Sequence, residues 1–197
     1  MGMVLGKISV ETPKYELVRK EDGFEVRDYA PRIIAEVSYD PAEMRSGRDG
    51  GFSILADYIG ALGKPKNEPA QKIAMTAPVI TKQSSSGGAI ANAPVIESKS
   101  DGRVTMQFVL PSGLTMESIP RPMDERVRVI PLPQQKFGVL GFTGVAGDDL
   151  VKNKVELLRK NLAAAGYQVA GDYILARYNP PWTPGFLRTN EVMLPLE

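Results

Sequence analysis

Residues 147–167, GDDLVKNKVELLRKNLAAAGY, carry the strongest helical pattern in the chain. Val151, Val155, Leu158 and Leu162 fall on one stripe, Asp148 and Asp149 sit at the positive end, and Gly166 stops it. A second helical pattern lies in RSGRDGGFSILADYIGALGKP, where Phe52, Leu55, Ala56, Ile59 and Leu62 recur at helical spacing, Asp49 can cap the start and Gly63 before Pro65 ends it. Each helix follows three strand-like segments and precedes another. Strands are expected at 15–18, 24–28, 32–40 and 72–81, then at 104–110, 126–130, 136–143, 172–178 and 190–196. In RIIAEVSYD, Ile33, Ala35, Val37 and Tyr39 alternate with Ile34, Glu36 and Ser38, the pattern of a half-buried strand. Two helices with eight or nine strands predict an α+β fold, a duplicated unit forming one curved antiparallel sheet or open barrel with both helices packed on it. The half-repeats are expected at about 14–82 and 103–197 of a single domain spanning 1–197. The halves share no obvious residue identities, so the duplication rests on element order.

The phrase KIAMTAPVITK (72–82) is nearly repeated as AIANAPVIES (89–98), with SSSGG between. One reading is a hairpin in which the copies pair; the other is a lengthened loop, about 83–102, that contains a copied strand. Asn92 replaces Met-Thr, so the copy is one residue shorter, which would flip every side chain beyond it; the loop reading is favoured. Pro78 cannot donate to a ladder, so pairing is expected to stop and the strand to bend at Met-Thr-Ala-Pro.

Two absences narrow the chemistry. The chain has no Cys and no His, which removes disulfides, Ser–His and Cys–His catalysis, imidazole or thiolate zinc sites and histidine ligation of haem iron. With 24 Lys+Arg against 23 Asp+Glu and no basic cluster, a nucleic-acid partner is not expected. Neither a signal peptide nor a run of apolar residues long enough to span a membrane is legible, and Gly6 stands where a myristoylation site wants Ser or Thr. A soluble cytoplasmic monomer is the expectation.

KIAMTAPVITK resembles the signature of the SOUL haem-binding family. So do ETPKYELVRKEDGFEVRDYAP, GFSILADYIGALGKP, TMQFVLPS and ARYNPPWTPGFLRTNEVMLPLE, in the family's order from about Glu11 to Glu197. The details are most similar to the plant cytosolic haem-binding proteins. The resemblance implies a pseudo-twofold distorted β-barrel flanked by two helices. It also implies reversible, non-covalent binding of haem or another tetrapyrrole, with the family's sites mapping to 51–63 and 178–188. The fold is also similar to the effector-binding domains of certain bacterial regulators.

Several residues at those places have suitable chemistry. The loop YNPPWTPGFLR is stiffened by Pro180, Pro181 and Pro184 and presents Tyr178, Trp182 and Phe186, which either cover a flat macrocycle or fold back to seal the barrel end. On the first helix Phe52, Leu55 and Ile59 form a core stripe wide enough to border a pocket, with Ile54 and Tyr58 on other faces. Tyr58 is a possible hydrogen-bond donor or weak iron ligand. Met75 is a possible thioether ligand, although period-2 counting places it with Ala77 and Val79 on a core face. Arg45, Arg48, Lys64, Lys66 and Arg188 are candidates for the two propionates, or simply solvated surface.

The expected function is a carrier or buffer of haem and related porphyrins, without catalytic residues or a protein-held metal. One alternative is a hydrolase or effector-binding module using Glu191, whose bland reading is an ion pair with Arg188 or Arg177. The other is an interaction module using the SSSGG stretch.

Overall fold

The computed structural model describes residues 10–44, 50–83, 102–180 and 182–197. Arg45, Arg48, Asp49, the SSSGG stretch and the copied phrase lie outside the described residues. The elements are β1 (Tyr15–Glu21), β2 (Phe24–Tyr29), β3 (Arg32–Tyr39), α1 (Gly50–Ile59), β4 (Asn67–Glu68), β5 (Val79–Gln83), β6 (Val104–Val109), β7 (Arg121–Pro122), β8 (Arg128–Leu132), β9 (Gln135–Thr143), α2 (Asp148–Ala164), β10 (Ile174–Arg177) and β11 (Thr189–Pro195). Nine strands form one antiparallel half-barrel sheet in the order β1-β2-β9-β11-β10-β5-β6-β3-β8, and β4 pairs with β7 apart from it. The expected α+β architecture, with two helices on a distorted antiparallel barrel, is the one observed.

Both helices end as their glycines dictate. In α1 the Gly60 N–H bonds the Asp57 carbonyl and the Ala61 N–H the Ala56 carbonyl, with Gly60 at φ +79°, a Schellman ending. The helix therefore stops short of the expected Gly63, and Leu62 leaves the apolar stripe to stand 60% exposed. In α2 the Gly166 and Tyr167 N–H groups close the same motif on Ala163 and Leu162.

One face of the sheet packs on the helices. Under α1, Leu55, Ala56, Tyr58 and Ile59 meet Ala35, Val37 and Tyr39 of β3 and Val104, Met106 and Phe108 of β6. Under α2, Val151, Val155, Leu158 and Leu162 meet Phe24, Val26, Leu140, Phe142, Leu175, Val192 and Leu194. The other, concave face holds a third cluster around Tyr29, Ile34, Ile80, Val109, Phe137, Val139 and Met193. That cluster changes the character of β3, which is buried on both faces rather than half-buried: Ile34 and even Glu36 are enclosed. Curvature turns what would be a solvent face into a second interior.

The 72–81 segment pairs only from Val79 onward. Before it, the Ala77 N–H bonds the Glu11 carbonyl and the Thr76 hydroxyl donates to the Val109 carbonyl, so these polar groups leave the ladder and are satisfied elsewhere. The Ala77–Pro78 peptide is cis.

Close approach of α2 to the sheet requires Gly138: an added Cβ would stand 2.5 Å from Leu162 Cδ1, itself fully buried. Gly138→Ala is expected to cost about 1–3 kcal/mol by overpacking and to lower Tm by several degrees in thermal unfolding. Gly141→Ala, three residues along β9 where a Cβ meets nothing within 4 Å, is expected to leave Tm nearly unchanged.

Candidate functional site

A cleft of about 110 Å³ opens on the outward side of α1. Ser53, Ile54, Asp57 and Tyr58 form its helical wall; Lys66, Asp124 and Arg126 form the opposite rim. The pairing of β4 with β7 places that rim, by setting Asn67 opposite Pro122 and Glu68 opposite Arg121. Buried Asn67 fixes the segment to the helix: its amide nitrogen donates to the Tyr58 and Gln71 carbonyls at 2.7 and 2.8 Å, and its oxygen accepts the Gln71 N–H at 2.8 Å. The Lys66 N–H bonds the Asp57 carbonyl, and the Met123 N–H bonds the Lys66 carbonyl. Across the cleft Lys66 Nζ lies 2.5 Å from Asp57 Oδ2, and along the rim Arg126 Nη2 lies 2.7 Å from Asp124 Oδ2. Hydrogen bonding from Arg126 holds the Asp124 carboxyl below the usual carboxylate range.

The helix divides the sequence-predicted residues. Leu55 and Ile59 are core, as is most of Phe52, whose ring meets Phe108 edge-on at 5.5 Å. Ile54 and Tyr58 border the cleft. Tyr58 is 1% exposed and its hydroxyl donates to the Pro120 carbonyl at 2.9 Å, while burial pushes its pKa up to about 12. It is a neutral, engaged phenol, poorly suited to bind iron. Lys64 stands exposed in the turn after α1 and does not line the cleft. Met75 is 36% exposed, outside any strand and apart from the core face that period-2 counting assigned it. Asp124 and Arg126 were missed, because only the β4–β7 pairing brings them to α1.

The proline-braced loop holds its shape through its own hydrogen bonds. The Thr183 N–H bonds the Pro180 carbonyl, Arg188 Nε donates to the Thr183 carbonyl at 2.8 Å, and the Thr189 N–H bonds Asn179 Oδ1 at 2.7 Å. A short 3-10 turn, Gly185–Leu187, ends it. Trp182 and Phe186 are both 77% exposed, so they do not fold back to seal the barrel. Tyr178 separates from them and points to the inner face. The residues lining the α1 cleft include none from this loop.

On the inner face lies a compact polar cluster. Arg27 Nη1 is 2.9 Å from Glu191 Oε1, its Nη2 is 2.7 Å from Glu25 Oε2, and the Tyr178 hydroxyl donates to Glu191 Oε2 at 2.6 Å. The Glu191 partner is thus Arg27 from β2, not Arg188 or Arg177, because pairing of β2 with β9 and of β9 with β11 stacks these strands side by side. Burial works against the Arg27 charge, yet the Glu191 carboxylate holds it firmly protonated. Burial, then Glu191, drives the Tyr178 pKa far upward, and burial pushes Tyr29 up to about 12. Among the described residues no group of three or more His, Cys, Asp or Glu side chains is placed to hold a metal.

Comparison with known proteins adds three findings. The model of the SOUL heme-binding protein family matches residues 10–195. The human protein Heme-binding protein 2 is 27% identical over 193 residues, covering 94% of this chain and 86% of that protein. Among solved structures, the C-terminal domain of EcmrR superposes with a TM-score of 0.60 at 11% identity, covering 93% of this chain and 98% of that one. A hydrolase from Listeria innocua superposes with a TM-score of 0.57 at 11% identity, covering 91% and 94%. At such identity these two structures show the fold alone.

Removing Arg27 would leave Glu191 without its cation inside the sheet, with only the Tyr178 hydroxyl as partner, while Glu25 would keep Lys20 at 3.3 Å. Arg27→Met is expected to cost about 3–5 kcal/mol in chemical denaturation, and Arg27→Met with Glu191→Gln to recover part of that loss. The raised tyrosine pKa values also set a sign at alkaline pH. Their stabilising share is full below the unfolded value near 10 and falls as pH rises toward the folded values of about 12 at Tyr29 and Tyr58. Phenolate absorbance should therefore show Tyr29, Tyr58 and Tyr178 ionising above their ordinary range, as the fold is lost.

Proposed function

This chain belongs to the SOUL heme-binding protein family across residues 10–195, and from that premise we propose that it binds haem and related tetrapyrroles reversibly, as a carrier or buffer. The observation that carries the reading is the exposure of Trp182 and Phe186 at 77% each on a loop stiffened by its own hydrogen bonds. Large apolar rings presented to water on a stiff backbone, with only two side-chain torsions each to order, favour contact with a flat apolar ligand. The human relative, named a heme-binding protein, supports the same ligand class.

The donor set fits a ligand held without an imidazole or thiolate bond to iron, since the chain has neither His nor Cys. Bound haem would supply an iron centre and two carboxylate arms. In the α1 cleft Ile54 and Tyr58 offer apolar contact, and Lys66 and Arg126 offer cations to the arms. At about 110 Å³ the cleft is smaller than an engulfing site of roughly 300–1,000 Å³. It suits one edge of a macrocycle, which favours release. Arg45 and Arg48 remain candidate propionate partners, and Phe52, Leu55 and Ile59 act as the rigid floor that sets the helix. Met75, Tyr178 and Arg188 complete the proposed contact set at the aromatic loop's end of the sheet, where Arg177 pairs with Val79.

The same reading takes 1–197 as a single domain of two half-repeats and the protein as a cytoplasmic monomer without a nucleic-acid partner. Among the described residues no helix is long and apolar enough to cross a membrane. An enzyme reading through Glu191 is not favoured, because both of its oxygens already hold partners.

Titrating haem into the protein is expected to shift the Soret band and quench Trp182, the only Trp, with a dissociation constant in the micromolar range or below. Replacing Trp182 and Phe186 by Ala is expected to weaken binding about tenfold or more, the order of one buried aromatic contact. No Soret shift and no quenching at tens of micromolar haem would end the proposal.

A further inference from the structure

Both cations on the α1 cleft are already occupied by carboxylates of the chain itself. Lys66 holds Asp57 at 2.5 Å; Arg126 grips Asp124 through Nε at 2.9 Å and Nη2 at 2.7 Å, one nitrogen to each oxygen. All four side chains line one small cleft. Two-point contact is how a guanidinium takes the carboxylate of a ligand. Stability does not account for the pairs, because Lys66 and Arg126 are 62% and 57% exposed and ion pairs in that setting contribute little.

The backbone fixes the cations while leaving the carboxylates a second choice. Lys66 is tied to α1 by its N–H and to Met123 by its carbonyl, so the main chain carrying Lys66 and the main chain just before Asp124 and Arg126 stay together on one rim. Asp124 Oδ1 also accepts the Arg126 backbone N–H at 3.0 Å, a bond it can keep when the guanidinium turns away. Asp57 is 32% exposed and can exchange its ammonium partner for water.

We propose that Asp57 and Asp124 are placeholders, which hold Lys66 and Arg126 and yield them to the two carboxylate arms of a flat ligand. This rests on the tetrapyrrole reading and narrows it to macrocycles with two carboxylates on one edge. Each aspartate competes with the ligand, lowering affinity while preventing two bare cations from collecting unrelated anions.

Protoporphyrin IX and its dimethyl ester, titrated in the same dilute detergent, separate the possibilities. Asp57→Asn with Asp124→Asn is expected to tighten the diacid by about threefold to tenfold, in the range of single charge contacts at an interface rim, and to leave the ester unchanged. Lys66→Met with Arg126→Met should weaken the diacid and spare the ester. Asp57→Asn alone, which leaves the Asp124 turn intact, serves if the double variant loses its native circular dichroism. Unchanged or weaker diacid binding by the Asp→Asn variants, or equal shifts for diacid and ester, overturns the placeholder role while the binder reading stands. Wild-type protein that binds neither probe overturns both.

Discussion

Three cross-strand pairs, Leu175–Thr81, Ala176–Ile80 and Arg177–Val79, join the two sides of the sheet. On either side of this seam the order is matched: β11, β9 and β2 follow β10, while β6, β3 and β8 follow β5. The flanking members are exchanged. β2, early in the chain and carrying β1 on its outer edge, pairs with β9, and β8, late in the chain, pairs with β3. Neither side is complete without a strand drawn from the other end of the sequence, so the helices, each lying on its own side, are locked into one body. The short seam is sufficient because two strands reach across the chain to reinforce it.

The inner face shows a cost of curvature. Ile80 and Ala176 meet at the seam, and their lateral neighbours are Gln107 and Glu191. Each anchors a polar cluster. Gln107 donates to Glu36, which also takes Arg128 at 2.5 Å; Glu191 takes Arg27 and Tyr178. Lys82 faces the first cluster, with burial pushing its amine below the usual range against the pull of Glu36. The Arg27–Glu191 pair, buried on both sides, adds little net stability, since desolvation offsets attraction, but it penalises any register that separates the two; the Glu36 carboxylate is enclosed while its Arg128 partner reaches solvent. The two clusters make the concave face a specified interior, with the outer cleft and the aromatic loop lying outside it.

Those two surfaces differ in kind. The loop presents Trp182 and Phe186 because its backbone bonds to itself, leaving the side chains without a core to enter. The cleft is electrostatic, with two cations on a rim built by Asn67 and the small β4–β7 ladder. The loop offers apolar contact and the cleft cationic contact, and no residue of the loop lines the cleft.

The period of apolar residues determined the elements by itself. The α2 stripe of Val151, Val155, Leu158 and Leu162 is buried as its spacing requires, and nearly every expected strand forms within a few residues of its place. Local chemistry was equally legible: Pro78 denies the ladder a donor, and pairing begins only at Val79. What the sequence could not disclose were partners separated by many residues. Arg27 and Glu191, or Lys66 and Arg126, have no local pattern linking them, because only strand order and the β4–β7 pairing make them neighbours. Glu36 looked solvent-facing because alternation records one buried face, and only the curvature of the whole sheet buries the second. Periodicity is a property of a single element, whereas ion-pair partners and enclosed faces are decided by how distant elements come together.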